Sequence, residues 1–222
     1  MACDVSAYFD AVRNISESGK REGRYLEVLG FNCVSYYNIN DVRRLKKVRR
    51  YAQNDEIVRG WLKSVKAYSV FRDRPQKPSY GLRIRSYNSF GCIVDQLDAV
   101  AARISEKPGY SCQSILVYSP VDLIKMVRPG YVPCVTAIDV KVRDSLLHFH
   151  ILMRSLDVYS SMIFDMLWLR ILQRILIAKI CKRRYSLKSI KPGVLNIFCG
   201  RAYIKANCVE RAKTFASILC AE

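Results

Sequence analysis

The chain has 222 residues, half of them apolar and nine of them cysteine, and its 37 lysines and arginines outnumber 19 aspartates and glutamates for a formal net charge of +18. That much apolar material builds a sizeable core without disulfide or metal staples, and an odd cysteine count with no C-x-x-C pair, after the polar start Met1-Ala2-Cys3-Asp4, argues against a secreted disulfide framework and for a reduced, cytoplasmic protein. The charge attracts polyanions, whether nucleic acid, an anionic membrane face or a phosphorylated small molecule, and equally describes a solvated basic surface.

No internal repeat or low-complexity linker divides the sequence, so one domain over residues 1–222 is expected, with a helical, basic N-terminal part over 1–70. Val5, Tyr8, Phe9 and Val12 share a helical face, and Val42, Leu45 and Val48 recur every three residues. Around the second set, Arg43, Arg44, Lys46, Lys47, Arg49 and Arg50 make a basic amphipathic helix that could track phosphates, with Tyr51 and Trp61 following as stacking groups. The same pattern suits a solvated helix face whose aromatics go to the core. Arg72 to Gly81, with Pro75 and Pro78, reads as a long loop.

Farther on, the spacing predicts a helix over Asp95–Ile104 and a strand over Ile115–Tyr118. Pro133 sets the direction from which a longer strand, Cys134–Arg143, begins. In it Thr136, Ile138, Val140 and Val142 alternate with Asp139, Lys141 and Arg143. Asp144-Ser145 turns the chain into a second strand, Leu146–Met153, and apolar residues then run almost unbroken from Val158 to Cys181. Asp165, Arg170, Gln173, Arg174 and Lys179 within that run oppose a membrane span and favour a buried central helix, with the helix itself beginning near Tyr159. The fold class expected is α+β, a twisted mixed sheet covered by helices. His148 and His150 share a strand face but lack an evident third ligand, so exposed histidines and no metal site are expected.

Two strands of about nine residues return the chain to the level of Cys134. The thiol can thus meet Arg154, Ser155, Asp157 and Asp165 at one cleft. Taken alone, Cys134 reads as a small buried hydrophobe and Asp157 as a helix cap.

The segment Pro133-Cys134, nineteen residues, Arg154-Ser155-x-Asp157, seven residues, Asp165 resembles the catalytic half of the thymidylate synthase and deoxycytidylate hydroxymethylase family. Tyr80-Gly81-Leu82-Arg83, Asp95-Gln96, Ser111-Cys112-Gln113 and Gly193 to Lys205 resemble further motifs of that family, so the likeness covers about residues 80–205. It implies a thymidylate-synthase-like fold, a homodimer packed sheet to sheet, and a pyrimidine nucleotide whose C5 receives a one-carbon unit from 5,10-methylenetetrahydrofolate. By the same resemblance Cys134 is the nucleophile, Arg154 and Ser155 bind the nucleotide phosphate, Asp157 contacts the folate, and Asp165 with Gln113 recognises the base. An aspartate at the position of Asp165 marks the cytidylate hydroxymethylases in the family, so a cytosine-type base is expected.

Several positions depart from the family pattern. Cys112 stands for an arginine that completes the phosphate site across the dimer, Val135 for a frequent histidine, Tyr203-x-Lys205 for His-x-Tyr, and Ser161-Met162-Ile163 for Gly-Leu-Pro. The glutamate used for proton transfer has only Glu56 and Asp41 as candidates. The expected function is a divergent pyrimidine-nucleotide C5 one-carbon transferase. Its competitors are an inactive member whose basic surface binds nucleic acid or a ribonucleoprotein assembly, and an enzyme acting on a base within a polynucleotide, for which no base-flipping element can be read.

Overall fold

The computed structural model describes residues 4–38, 80–89, 91–120, 122–124 and 132–218. The basic helix expected over Arg43–Arg50, Tyr51, Trp61, Asp41, Glu56 and nearly all of the Arg72–Gly81 loop lie outside the described residues.

Helix α1 (Asp4–Ser18) forms because Tyr8, Ala11, Val12 and Ile15 recur every three or four residues and are buried together. The helical reading of the N-terminal part fails immediately afterwards. Lys20–Glu22 (β1) and Tyr25–Ser35 (β2) are strands, joined where Gly23 adopts φ 54°. The periodicity switches to two at Phe31, Cys33 and Ser35, all buried, against exposed Asn32 and Val34.

A short helix, α2 (Tyr80–Arg85), replaces the end of the expected loop, and among the described residues β3 (Tyr87–Ser89) pairs with β4 (Cys92–Val94) alone. Helix α3 (Gln96–Glu106) starts where expected, because the Asp95 side chain accepts from Asp98 N at 3.1 Å. The main sheet comprises β1, β2, β5 (Ser114–Leu116), β6 (Val135–Arg143), β7 (Leu146–Met153), β8 (Leu156–Asp157) and β9 (Lys191–Lys205). Its order is β1-β2-β9-β7-β6-β5, with β8 alongside β9. Asp144 and Ser145, at φ 50° and 58°, make the two-residue turn expected between β6 and β7.

Strands β7 and β9 are parallel, so a crossover must carry the chain back. Helix α4 (Met162–Arg183) is that crossover. It begins three residues later than expected, because Asp157 to Ser161 are taken up in a turn: Ser160 N donates to Asp157 Oδ1 at 3.0 Å and Ser161 N to Asp157 O at 2.9 Å. Its buried Arg170 and Gln173 are hydrogen-bonded, whereas the buried indole N–H of Trp168 has no partner among the described residues. Arg170 donates to the Asp4 carboxylate at 2.8 to 3.1 Å, to Gln173 Oε1 at 2.9 Å and to Ser35 O at 3.1 Å, tying α1, β2 and α4 together. Among the described residues no helix is long and apolar enough to cross a membrane.

Helices α1 and α4, with α5 (Val209–Ile218) against α1, cover one face of the sheet. Leu147, Phe149, Ile151, Leu195 and Ile197 point into that core. The opposite face carries a row formed by register: Asn32, Phe198, Leu152, Ala137 and Leu116 sit side by side on β2, β9, β7, β6 and β5. Phe198, Leu152 and Leu116 are 44, 52 and 45 % exposed.

Candidate active site

Cys134 immediately precedes β6, and its backbone is held on both sides: its N–H donates to Tyr80 Oη at 3.2 Å and its carbonyl accepts from Arg154 N at 2.9 Å. Tyr80 is itself buried against Trp168, ring centroids 5.0 Å apart. A register shift between Val135 and Ala137 places a bulge beside the thiol, the device by which a strand re-aims a side chain. The half-buried Sγ lies 3.6 Å from Ser155 Oγ.

Burial pushes the Cys134 thiol above its ordinary range; the Ser155 hydrogen bond pulls it down, Asp165 raises it and the Arg154 charge lowers it. The spacing of Arg154 from Cys134 suggests a cation against the thiol, but its charge acts on the sulfur less than the Ser155 hydrogen bond does. Its Nε donates to Pro133 O and its Nη2 to Val132 O, both at 3.0 Å, so the guanidinium braces the backbone leading to the thiol. Arg154 is otherwise exposed, and these carbonyls use two of its five N–H donors.

Asp165, in the first turn of α4, is 4 % exposed. Burial raises its carboxyl to about 7, with the Ser161 hydroxyl lowering it and Asp157 raising it. It is thus a carboxylic acid that holds its proton to near neutrality. Asp157 acts on Cys134, Asp165 and Tyr203 electrostatically. Its Oδ2 pairs with Lys205 Nζ at 3.3 Å while Oδ1 accepts from Ser160 N. The capping interpretation of Asp157 holds for the turn before α4, whose own N-cap is Ser161.

Of two further neighbours, Cys199 escaped the sequence reading and Tyr203 entered it only as a departure from His-x-Tyr. Cys199, on β9, donates to Arg201 O at 3.2 Å, and burial pushes its thiol up to about 11, with Cys134 and Asp165 adding to the rise. The phenol of Tyr203 is raised to about 12, first by burial and then by Asp157 and Cys134. The signal for Cys199 in the sequence was the alternation of β9, which does not say which strand lies beside it.

Gln113 is not among these groups. Its side-chain amide nitrogen donates to Lys107 O at 3.3 Å and its backbone carbonyl accepts from Val140 N at 2.8 Å. Six residues of β6 separate that level from Cys134, about 20 Å of strand, so base recognition by Gln113 within this protomer is corrected: it packs under the C-terminal end of α3. The two histidines are half-buried rather than exposed. His148 Nδ1 accepts from Val194 N at 3.2 Å, and burial lowers its pKa. Two cavities among the described residues lie away from the thiol, one between α1 and β2 and one between α1 and α5.

Thiol, hydroxyl and protonated carboxyl together can add sulfur to an electron-poor double bond while supplying a proton to a nearby heteroatom. A family model described as thymidylate synthase matches residues 50–216. Among curated proteins no match to the chain was found.

Proposed function

Because the chain belongs to the thymidylate synthase family, we propose that it is a pyrimidine-nucleotide C5 one-carbon transferase in which Cys134 attacks C6 of a cytosine-type base. The observation that supports this reading best is the company of the Cys134 thiol: the Ser155 hydroxyl at 3.6 Å and the buried, proton-holding carboxyl of Asp165.

A carboxylic acid at Asp165 donates to N3 of cytosine and accepts from the exocyclic amine, two contacts that uracil cannot return in the same sense. Proton donation to N3 draws electron density from C6 and favours attack there. The thiolate forms the S–C6 bond, the C5–C6 π pair moves to C5, and C5 becomes the nucleophile toward a one-carbon electrophile. The Ser155 hydroxyl and the Arg154 charge favour the thiolate against the cost of burial. The N–H donors of Arg154 not used on Val132 and Pro133, together with Ser155, suit the nucleotide phosphate.

Members of this family typically draw the one-carbon unit from 5,10-methylenetetrahydrofolate. Asp157, the residue assigned to that group, has one oxygen on Ser160 N and the other on Lys205. Each of these oxygens keeps a lone pair for a further donor, so Asp157 can still meet the folate, and the half-reaction that the chain's own groups support most directly is activation of C5. Family members are typically homodimers, and the apolar row through Phe198, Leu152 and Leu116 suits a second copy of this chain. The described cysteines are all free thiols, which suits the cytoplasm.

The test is hydrogen exchange at C5. In D2O without any folate, thiol addition lets C5 take up a solvent deuteron, and reversal expels the original proton. Cytidine and deoxycytidine monophosphates should gain one mass unit, and Cys134→Ser should abolish the gain. No exchange on any pyrimidine nucleotide, or unchanged exchange in the variant, removes the reading.

A further inference from the structure

At the end of the sheet opposite the thiol, hydrogen bonds join the C-terminal ends of α3 and α4, the β6–β7 turn and the start of β9. Arg184 Nη1 donates to Ser105 O at 2.9 Å, Lys191 N to Ser145 O at 3.0 Å, and Arg143 Nη2 to Gly109 O at 3.4 Å. This rim carries Lys107, Arg143, Lys182, Arg184, Lys188 and Lys191, all exposed. Nearby, Asp98 is paired with Lys179 and Arg183, leaving Glu106 and Asp144 as the opposing charges. The C-terminal ends of two helices aim their partial negative charge at the same rim, so the cations there are partly offset by the dipoles, yet six still outnumber two.

Two aromatic side chains stand out of the rim. Tyr185 is 74 % exposed with Lys188 Nζ 4.4 Å from its ring centroid, and Tyr110 is 42 % exposed with Arg103 and Lys107 at 5.8 and 5.9 Å. Exposed rings interleaved with cations offer faces for unpaired bases and donors for the phosphates between them. Among the described residues no helix or strand projects here to enter a duplex groove, and no apolar wedge accompanies the charges for insertion into lipid.

We propose that this rim is a binding surface for single-stranded nucleic acid, separate from the thiol site. It does not depend on the catalytic reading: the sheet is about nine residues long between the two, roughly 30 Å.

The probe is a fluorescently labelled 20-nucleotide oligo-uridine or oligo-thymidine, titrated with the full chain from 50 to 200 mM salt. Affinity should fall linearly with salt on logarithmic axes, with a slope of about −0.7 per phosphate neutralised. Reversing Lys182, Arg184 and Lys188 to Glu should shrink that slope and weaken binding at least tenfold. Tyr185→Ala should weaken binding by roughly 5- to 160-fold, the range of one lost base stack, and leave the slope alone. Cys134→Ser should change neither. Binding unaffected by the charge reversal places the nucleic acid elsewhere and overturns the proposal. So does a Tyr185→Ala protein that binds like the parent, or tighter retention on phosphatidylserine vesicles than on the oligonucleotide at equal salt.

Discussion

The Sγ of Cys134, just before β6, and the Oγ of Ser155, between β7 and β8, lie 3.6 Å apart and form the contact that most strongly opposes the effect of burial on the thiol. Ser155→Ala should therefore drive the thiol pKa still higher. Alkylation of Cys134 by iodoacetamide at pH 8 should slow about fivefold, the worth of one hydrogen bond of about 1 kcal/mol, and its pH–rate profile should move to higher pH. An unchanged profile would mean that Ser155 does not support the thiolate.

The Asp165 carboxyl gives a pH signature. Folded, it holds its proton to about 7; unfolded, it releases it near 3.8. Between those values the folded chain binds more protons than the unfolded one, so this group makes stability fall as pH rises through that window. Asp165→Asn removes the titration. Relative to the parent, the variant should gain stability from pH 4 to pH 7 and no more beyond it, by at most roughly 4 kcal/mol at 1.36 kcal/mol per pKa unit. Urea unfolding at four pH values measures this, and a flat difference would count against a proton on Asp165.

The same substitution bears on base choice. Asparagine offers uracil a complementary amide and cannot transfer a proton to N3 of cytosine. C5 exchange on cytidylate should drop at least tenfold in Asp165→Asn while exchange on uridylate rises. A parent protein that already prefers uridylate would show that Asp165 does not read the base.

The open sheet face predicts assembly. Phe198 and Leu152 are register neighbours in the exposed row, and a homodimer built on it would bury both. Light scattering after gel filtration should give a dimer for the parent chain. Leu152→Lys with Phe198→Lys should give a monomer with unchanged circular dichroism, since neither side chain reaches the core. Monomeric parent protein at micromolar concentration would remove the sheet-to-sheet dimer.

What could be read from residues alone divides along physical lines. The β6–β7 hairpin was legible because Asp144-Ser145 is a local turn between alternating runs, and the buried α4 because its apolar run is longer than any strand. The spacing of Cys134, Arg154, Ser155, Asp157 and Asp165 was legible through that hairpin. The β1–β2 hairpin was not: β2 exists through pairing with β9 at the far end of the chain, and nothing local announces a partner. Arg154 misled for a related reason. Sequence places its Cα beside Cys134 but says nothing of the carbonyls of Val132 and Pro133, which compete for its guanidinium. The displacement of Gln113 from the site likewise follows from the pairing of β5 with the middle of β6, which fixes its level.

The pairing of β2 with β9 also sets a timetable. Glu27 and Arg201, ion-paired across these strands, are 174 positions apart. A ribosome adding about 5 to 20 residues per second needs roughly ten to thirty seconds to cover that distance. Throughout that interval the nascent β2 has an open edge, and closing so long a loop is slow even once the partner emerges. Cys134 is made before Cys199 and Tyr203, so its sulfur leaves the ribosome ahead of the strand that walls it in. A chain halted before β9 would present a sticky edge and an unshielded thiol together, the kind of intermediate that holdase chaperones capture.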